Sequence, residues 1–257
     1  DRADVIPQSV IDSLYSAAIE EAKQAVLVIF LGGLNKNYQQ DFDGDDRMTF
    51  ELPFEQNRLI KGILDVNQKM VLVLTSGNAV DMPWIEKVPS LIQSWYLGSI
   101  GGKALADVLI GEINPSGKLP FSYPVRLEDC PAHFYGEISY PGDSIRQEYK
   151  EDILVGYRWY DTKKIKPLFP FGYGLSYTEF QYGKPVVSAT ELKAGESLEV
   201  KVTVKNTGKV AGKEIVQLYI GDEKCSVLRP VKELKDFYKV ELQPGEEQEV
   251  AFTVERD

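Results

Sequence analysis

The first half of the chain alternates between two hydrophobic patterns. Apolar residues recur at helical spacing over residues 7–23 and over residues 53–66, where Pro53 suits a first helical turn. A wholly apolar segment follows each helix, at residues 25–31 and at residues 70–75. Such strands are typical of parallel sheets that are buried on both faces. The pattern therefore predicts an α/β sheet with helices on both sides. A further strand is predicted at residues 90–96 and a further helix at residues 101–109.

The last part of the chain follows a period of two residues instead. Residues 197–205 alternate between apolar and polar side chains, which is typical of a half-buried strand. A turn signal at residues 206–208 follows this segment, and another at residues 244–245 separates the last two predicted strands. The spacing predicts a β-sandwich. Three more strands are predicted, at residues 214–221, 239–242 and 247–254.

These patterns divide the chain into three parts. The α/β domain is predicted over residues 1–125 and the β-sandwich over residues 184–257. Residues 126–183 between them are rich in Pro, Gly and aromatic residues. We expect an ordered connector there, because a disordered linker would not carry so many aromatic side chains.

Composition and charge exclude several classes of function. The 257 residues carry 29 Lys and Arg against 39 Asp and Glu, a net charge of −10, which argues against binding to nucleic acid or to an anionic membrane. No apolar run approaches the roughly 20 residues of a membrane span. Cys130 and Cys225 lack neighbours at ligand spacing, and His133 is the sole histidine. A disulfide scaffold, a zinc site and most histidine-based catalysis are therefore not expected.

The strongest chemical signal is an acidic loop after the first predicted strand. Four carboxylates lie within six residues, beside one arginine: Asp41, Asp43, Asp45, Asp46 and Arg47. Ligands of α/β sheets bind at the loops that follow the carboxyl ends of strands. Clustered carboxylates raise one another's pKa, which suits a general acid.

Two other interpretations of this loop stay open. The Asp-x-Asp-Gly-Asp pattern superficially resembles a calcium loop. The twelfth position counted from Asp41 is Leu52, however, where an EF-hand carries Glu, so an EF-hand is not expected. A solvated acidic turn, in which Asp46 and Arg47 form a structural pair, explains the composition equally well.

A second candidate feature is the aromatic pair Trp95-Tyr96, followed by Gly101-Gly102 at the start of a predicted helix. An aromatic side chain at a strand end can form a platform for a sugar ring. Packing of Trp95 in the core is an equally good interpretation. The glycine spacing does not match a dinucleotide fingerprint, and no cofactor is expected.

Taken together, the motifs resemble the C-terminal portion of family 3 glycoside hydrolases, the β-glucosidase and β-xylosidase group. In the α/β half and the connector the resemblance rests on Asp43-Gly-Asp-Asp-Arg47, Glu51-Leu-Pro53, Met82-Pro-Trp84, Asn114-Pro-Ser-Gly-Lys-Leu-Pro120, Val155-Gly-Tyr-Arg-Trp-Tyr-Asp161 and Phe169-Pro-Phe-Gly-Tyr-Gly174. In the β half it rests on Asn206-Thr-Gly208, Val216-Gln-Leu-Tyr219, Arg229-Pro230, Lys232-Glu-Leu-Lys235 and Pro244-Gly-Glu246.

The resemblance implies a three-layer α/β sandwich followed by a fibronectin type III-like β-sandwich. It also implies that the (β/α)₈ barrel of the family, which needs about 250 residues and holds the nucleophilic Asp, is absent from this chain. The first strands of the α/β domain and the last strands of the β-sandwich are expected to be missing as well. The partners it implies are a barrel on another chain or elsewhere in the gene, and a β-glucoside or oligosaccharide.

Asp43 occupies the position at which the family carries its acid/base Glu. Because Asp is one methylene shorter, three interpretations follow. Asp43 serves on an adjusted loop, a neighbour such as Asp41 or Asp45 reaches in, or the site is weakened. We assign Asp43 as the acid/base, Asp41, Asp45 and Trp95 as substrate-binding candidates, and Asp46 and Arg47 as loop-shaping residues.

The leading expectation is a retaining exo-β-glycosidase, most simply a β-glucosidase, to which this chain supplies the acid/base. The alternative is a carbohydrate-binding or scaffold protein that has lost the acid. A third interpretation, a metal-binding adhesion module, rests only on the acidic loop and the β-sandwich. The resemblance suggests a secreted or periplasmic bacterial enzyme, and a homo-oligomer stays open.

Overall fold

A computed structural model of the chain describes residues 6–35, 41–42 and 45–255. They belong to two compact units, Asp1–Leu105 and Ala106–Asp257. The helices of the first unit are α1 (Gln8–Gln24), α2 (Gln56–Val66) and α3 (Gly101–Leu109), the last of which continues into the second unit. Its strands are β1 (Val28–Gly33), β2 (Asp41–Phe42), β3 (Asp45–Asp46), β4 (Met70–Thr75) and β5 (Ser90–Gln93).

The main sheet of the first unit is parallel and has the order β1-β4-β5. The central strand β4 fits the prediction of a strand buried on both faces, since Leu72 and Leu74 are fully buried. The first strand does not fit it. β1 begins at Val28, later than predicted, and Ile29 and Leu31 are 48% and 67% exposed. β1 is the outer strand of the sheet, and no described element covers the face on which Ile29 and Leu31 lie.

The start of α2 also differs from the prediction. Phe54 and Glu55 adopt left-handed backbone angles, with φ of 58° and 55°, so the helix begins at Gln56. Pro53 precedes this turn, and its carbonyl accepts a hydrogen bond of 3.0 Å from the side-chain amide of Gln56. The placement of Pro53 in the first helical turn was therefore wrong.

The second unit contains two short helices, α4 (Pro131–Phe134) and α5 (Tyr157–Lys163), and six strands. The strands are β6 (Phe180–Tyr182), β7 (Val186–Val187), β8 (Ser197–Asn206), β9 (Gly212–Ile220), β10 (Glu233–Leu242) and β11 (Glu247–Glu255). All four predicted strands are present. β10 begins six residues before the predicted start, and its first half, which carries Glu233, Lys235 and Asp236, is largely exposed and does not follow the buried-exposed alternation on which the prediction rests. The two-residue β7 and three-residue β6 are too short to show a period. Among the described residues, no helix is long and apolar enough to cross a membrane.

Two sheets form the β-sandwich. One pairs β10 with β9, and the other has the order β11-β8-β6, with β7 added to β8. Their inner faces share one apolar core, to which every long strand contributes: Val204, Val216, Val240, Leu242, Val250 and Phe252. An α/β unit followed by a β-sandwich confirms the predicted fold class.

Polar contacts join the β-sandwich to the segment around Asn114 and Lys118 and to Tyr157 of the connector. The side-chain amide of Asn114 donates to the carbonyl of Ala211 at 2.9 Å. Lys118 forms an ion pair of 3.0 Å with Glu214, and both side chains are at least 85% buried. Farther along, the phenol of Tyr157 accepts the backbone N–H of Leu234 at 2.7 Å.

The side chain of Asn206 joins several segments of the β-sandwich by hydrogen bonds. In the sequence this residue is marked only as part of a turn. Its side chain is fully buried and donates to the carbonyls of Val210 at 2.9 Å and Leu242 at 3.0 Å. Its oxygen accepts the hydroxyl of Thr178 at 2.7 Å and the N–H of Gly208 at 3.0 Å. All four hydrogen-bonding positions of the amide are thus used.

We predict that Asn206→Ala lowers the free energy of unfolding by about 2–5 kcal/mol, because it leaves two buried and two partly buried polar groups without their partner, each buried group at a cost of roughly 1–3 kcal/mol before relaxation. Urea denaturation of the chain measures this. The control is Thr207→Ala in the same turn, whose exposed hydroxyl makes one bond of 3.3 Å and should cost less than about 1 kcal/mol. Equal losses for the two variants would contradict the assignment.

Candidate functional site

Three parallel strands end at the same edge of the first sheet. Gly33 at the end of β1 pairs with Thr75 at the end of β4, and Leu74 of β4 pairs with Gln93 at the end of β5. The segments that follow these strands therefore begin side by side. This is the edge at which α/β sheets bind their ligands.

The acidic loop forms a small hairpin after β1. The backbone of β2 pairs antiparallel with that of β3, so that Asp41 faces Asp46 and Phe42 faces Asp45. Asp43, the predicted acid/base, lies outside the described residues. The structure describes Asp45 and Asp46 by their backbone only, so the roles assigned to these three residues remain predictions.

Asp41 is held by three donors from the ends of the two neighbouring strands. After β4, the backbone N–H of Gly77 donates to Oδ2 at 2.7 Å, and the side-chain amide of Asn78 donates to Oδ1 at 3.2 Å. After β5, the hydroxyl of Tyr96 donates to Oδ2 at 2.7 Å. Hydrogen bonds to a carboxylate are short and about twice as strong as neutral ones. They fix β2 to the edge of the sheet.

Arg47 fixes the other strand of the hairpin to the same segment. Its guanidinium donates to Oδ1 of Asn78 at 2.6 Å and to the carbonyl of Ala79. Asn78 thus accepts from Arg47 through its oxygen and donates to Asp41 through its nitrogen. Arg47 is thus bonded to the segment that follows β4, and the loop-shaping role assigned to it remains a prediction.

Tyr96 reaches Asp41 because the backbone bends sharply at the residue before it. Trp95 has a φ of 56°, a left-handed conformation that is unusual for a bulky residue. Burial, followed by the hydrogen bond to Asp41, raises the pKa of the Tyr96 phenol well above its ordinary value. The phenol therefore remains a donor throughout the neutral range. Trp95 itself is partly buried, and its proposed contact with substrate remains a prediction.

The end of β1 is fixed by a two-point contact with α2. The side chain of Gln56 accepts the N–H of Gly33 at 2.8 Å and donates to its carbonyl at 2.8 Å. Gly33 has a φ of 123°, and a Cβ there would lie 2.1 Å from the carbonyl oxygen of Thr75. Only glycine fits this approach, from which the chain enters the acidic loop.

The charges of the acidic loop mark Asp41 and Arg47 in the sequence, whereas their partners Asn78 and Tyr96 are neutral and are not predicted. Position is the signal available for Asn78, since it follows β4 by three residues at the edge where α/β sheets bind ligands. In the sequence Tyr96 is marked only by its neighbour Trp95. The parallel register of β4 and β5 brings these separate segments together.

The chain thus combines a parallel sheet that carries an anchored acidic hairpin at its carboxyl edge with a β-sandwich. Residues 3–177 match the model of the glycosyl hydrolase family 3 C-terminal domain, and residues 214–257 match that of the fibronectin type III-like domain. The chain therefore belongs to glycosyl hydrolase family 3, which confirms the resemblance in its sequence.

Similar proteins cover almost the whole chain. It is 71% identical over 253 residues to beta-glucosidase BoGH3A of Bacteroides ovatus, covering 98% of this chain and 34% of the relative. It is 48% identical to thermostable beta-glucosidase B of Acetivibrio thermocellus, over 95% of this chain and 32% of the relative. Among solved structures, the beta-glucosidase of Kluyveromyces marxianus in complex with glucose matches with a TM-score of 0.85 and 40% identity, over 95% of this chain and 28% of that one. The chain thus spans about a third of the length of these proteins.

We predict that Gly33→Ala destabilises the first unit by at least about 1 kcal/mol, because alanine disfavours a positive φ and its methyl group would overlap the backbone of Thr75. Thermal or urea unfolding measures the loss. Gly98→Ala is the matched control, since a Cβ at Gly98 meets no atom within 4 Å. An unchanged stability of Gly33→Ala would show that the close approach of β1 to β4 is wrong.

Proposed function

We propose that this chain is the part of a retaining exo-β-glycosidase that carries the acid/base, and that the assembled enzyme is a β-glucosidase. Support for the sugar comes from the related proteins, which are named beta-glucosidases, one of them in complex with glucose. The observation that carries the proposal is the anchored hairpin. The chain is bound to the sheet edge through Asp41 and Arg47, two residues before and four residues after Asp43.

The proposed chemistry needs two carboxyl groups about 5–5.5 Å apart. An Asp from a barrel outside these 257 residues attacks the anomeric carbon, while Asp43 gives its proton to the leaving glycosidic oxygen. Asp43, now a carboxylate, then takes a proton from the water that releases the sugar, and the nucleophile is regenerated. Neither step requires a cofactor.

We predict that Asp43→Asn, in the protein that joins these residues to a barrel, loses its acid. Hydrolysis of methyl β-glucoside should fall about 10²–10⁴-fold, because its alkoxide needs a proton to leave. Hydrolysis of 2,4-dinitrophenyl β-glucoside should fall far less in its glycosylation step, since this leaving group is stable as an anion. Steady-state and pre-steady-state kinetics with the two substrates measure the difference.

Asp65→Asn is the control for this experiment, because Asp65 is an exposed residue at the end of α2 that pairs only weakly, at 3.3 Å, with Lys87. Its rates should match the wild type. Azide should accelerate Asp43→Asn on the activated substrate and yield a β-glucosyl azide, which would demonstrate retention. A loss in Asp43→Asn that is the same for both leaving groups would contradict the acid/base assignment.

We also predict that the 257-residue chain alone does not hydrolyse 4-nitrophenyl β-glucoside, because the proposed nucleophile lies outside it. The assay is run on material whose native mass is 28.9 kDa or a multiple of it, which shows that no barrel polypeptide is attached. Turnover by such material would overturn the proposed division of the site. Binding of a β-glucoside without turnover by the assembled protein would favour the alternative, a carbohydrate-binding protein that has lost the acid.

A further inference from the structure

The hairpin that carries Asp43 is closed at its base by one side chain. Asn78 binds Oδ1 of Asp41 at 3.2 Å on one strand, and accepts the guanidinium of Arg47 at 2.6 Å beside the other strand. Asn78 is itself held in place, because the hydroxyl of Ser76 donates to its backbone carbonyl at 2.8 Å. Ser76 is fully buried. The two strands are thus joined through the segment that follows β4, which is itself hydrogen-bonded to a buried residue.

A second contact holds Asp41 from the direction of β5. The hydroxyl of Tyr96 and the N–H of Gly77 share Oδ2, each at 2.7 Å. Gly77 leaves no spare room, since a Cβ there would lie 3.0 Å from Oδ2 of Asp41 and 3.2 Å from the ring of Tyr96. The carboxylate of Asp41 therefore packs closely between the segments that follow β4 and β5, and is also hydrogen-bonded to both.

These contacts bear on the role of Asp41, which the sequence analysis considered as a ligand for substrate. A carboxylate has about four positions for accepting hydrogen bonds. Three protein donors already occupy positions on both oxygens of Asp41. A residue bound in this way is better suited to hold the backbone than to change partners during each turnover.

We infer that Asp41, Asn78 and Tyr96 are positioning residues for the proposed acid/base, because they anchor the loop on either side of it, an inference that rests on the proposed function. Placement matters here because a displacement of about 1 Å can cost about 10²-fold in rate. An Asp one methylene shorter than the family's Glu has less reach with which to compensate. Asp41 and Arg47, two residues before and four residues after Asp43 in the sequence, are both bonded to the sheet edge.

The test is a double-mutant cycle of Tyr96→Phe with Asp43→Asn in the assembled protein. Tyr96→Phe removes one hydroxyl and keeps the ring. For methyl β-glucoside we expect kcat to fall roughly 10- to 100-fold, and for 2,4-dinitrophenyl β-glucoside we expect little change. In the Asp43→Asn background, Tyr96→Phe should cost nothing further, because the acid that it positions is gone. Asn78→Ala should behave in the same way.

Tyr182→Phe is a matched control, since its hydroxyl also donates to a carboxylate, that of Glu214 at 3.0 Å, in the second unit. It should leave both substrates unaffected. A merely structural role for Tyr96 would lower kcat equally for both leaving groups, and would add to the effect of Asp43→Asn. That result would overturn the inference.

Hydrogen exchange separates this inference from the proposed function. Tyr96→Phe and Asn78→Ala should speed amide exchange in residues 41–47 at least severalfold, and leave Met70–Thr75 unchanged. If Asp43→Asn shows no dependence on the leaving group, the proposed function fails, and exchange alone then decides whether the hairpin is held. Unchanged exchange in residues 41–47 would overturn the positioning role whatever the kinetics show.

Discussion

The carboxylate of Asp41 is the point at which three separate segments of the first unit meet. Its partners follow β4 and β5, and its own backbone begins the hairpin that follows β1. No two of these segments are neighbours in sequence, so the arrangement exists only because the strands are parallel and in register. The site is therefore a product of the whole sheet. The positions of the groups in the site depend on how closely the ends of β1 and β4 approach each other. Gln56 binds the backbone of Gly33, and Gly33 packs directly against Thr75.

Much of the architecture could be predicted because it follows from periodicity. The helix over residues 7–23 and the strand over residues 70–75 match α1 and β4 closely. The burial of β1 could not be predicted, because an apolar strand has the same sequence pattern whether it is central or at the edge of a sheet. The start of α2 depends on two left-handed residues, Phe54 and Glu55, neither of which is a glycine that would mark the turn.

The site was predicted unevenly for a different reason. The density of charged residues marks the loop that contains Asp41 and Arg47 as a candidate site. The partners of these residues are neutral side chains, an amide and a phenol, which carry no such signal. Asn206 repeats the lesson in the β-sandwich. The Asn-Thr-Gly pattern indicates a turn, yet the buried amide also joins Leu242 and Thr178, which are distant in sequence. Long-range polar contacts of this kind become visible only with coordinates.

The exposed side of β1 has a consequence for handling the chain in solution. Ile29 and Leu31 of β1, together with Val26 just before it, are exposed apolar side chains. The backbone on the outer edge of β1 has no partner among the described strands. An open, apolar strand edge is a template for pairing with another molecule. Concentrated samples of the isolated chain should therefore be prone to reversible clustering, and added salt would strengthen it by screening the net charge of −10. The isolated chain should therefore be stored dilute and in low-salt buffer to limit this clustering.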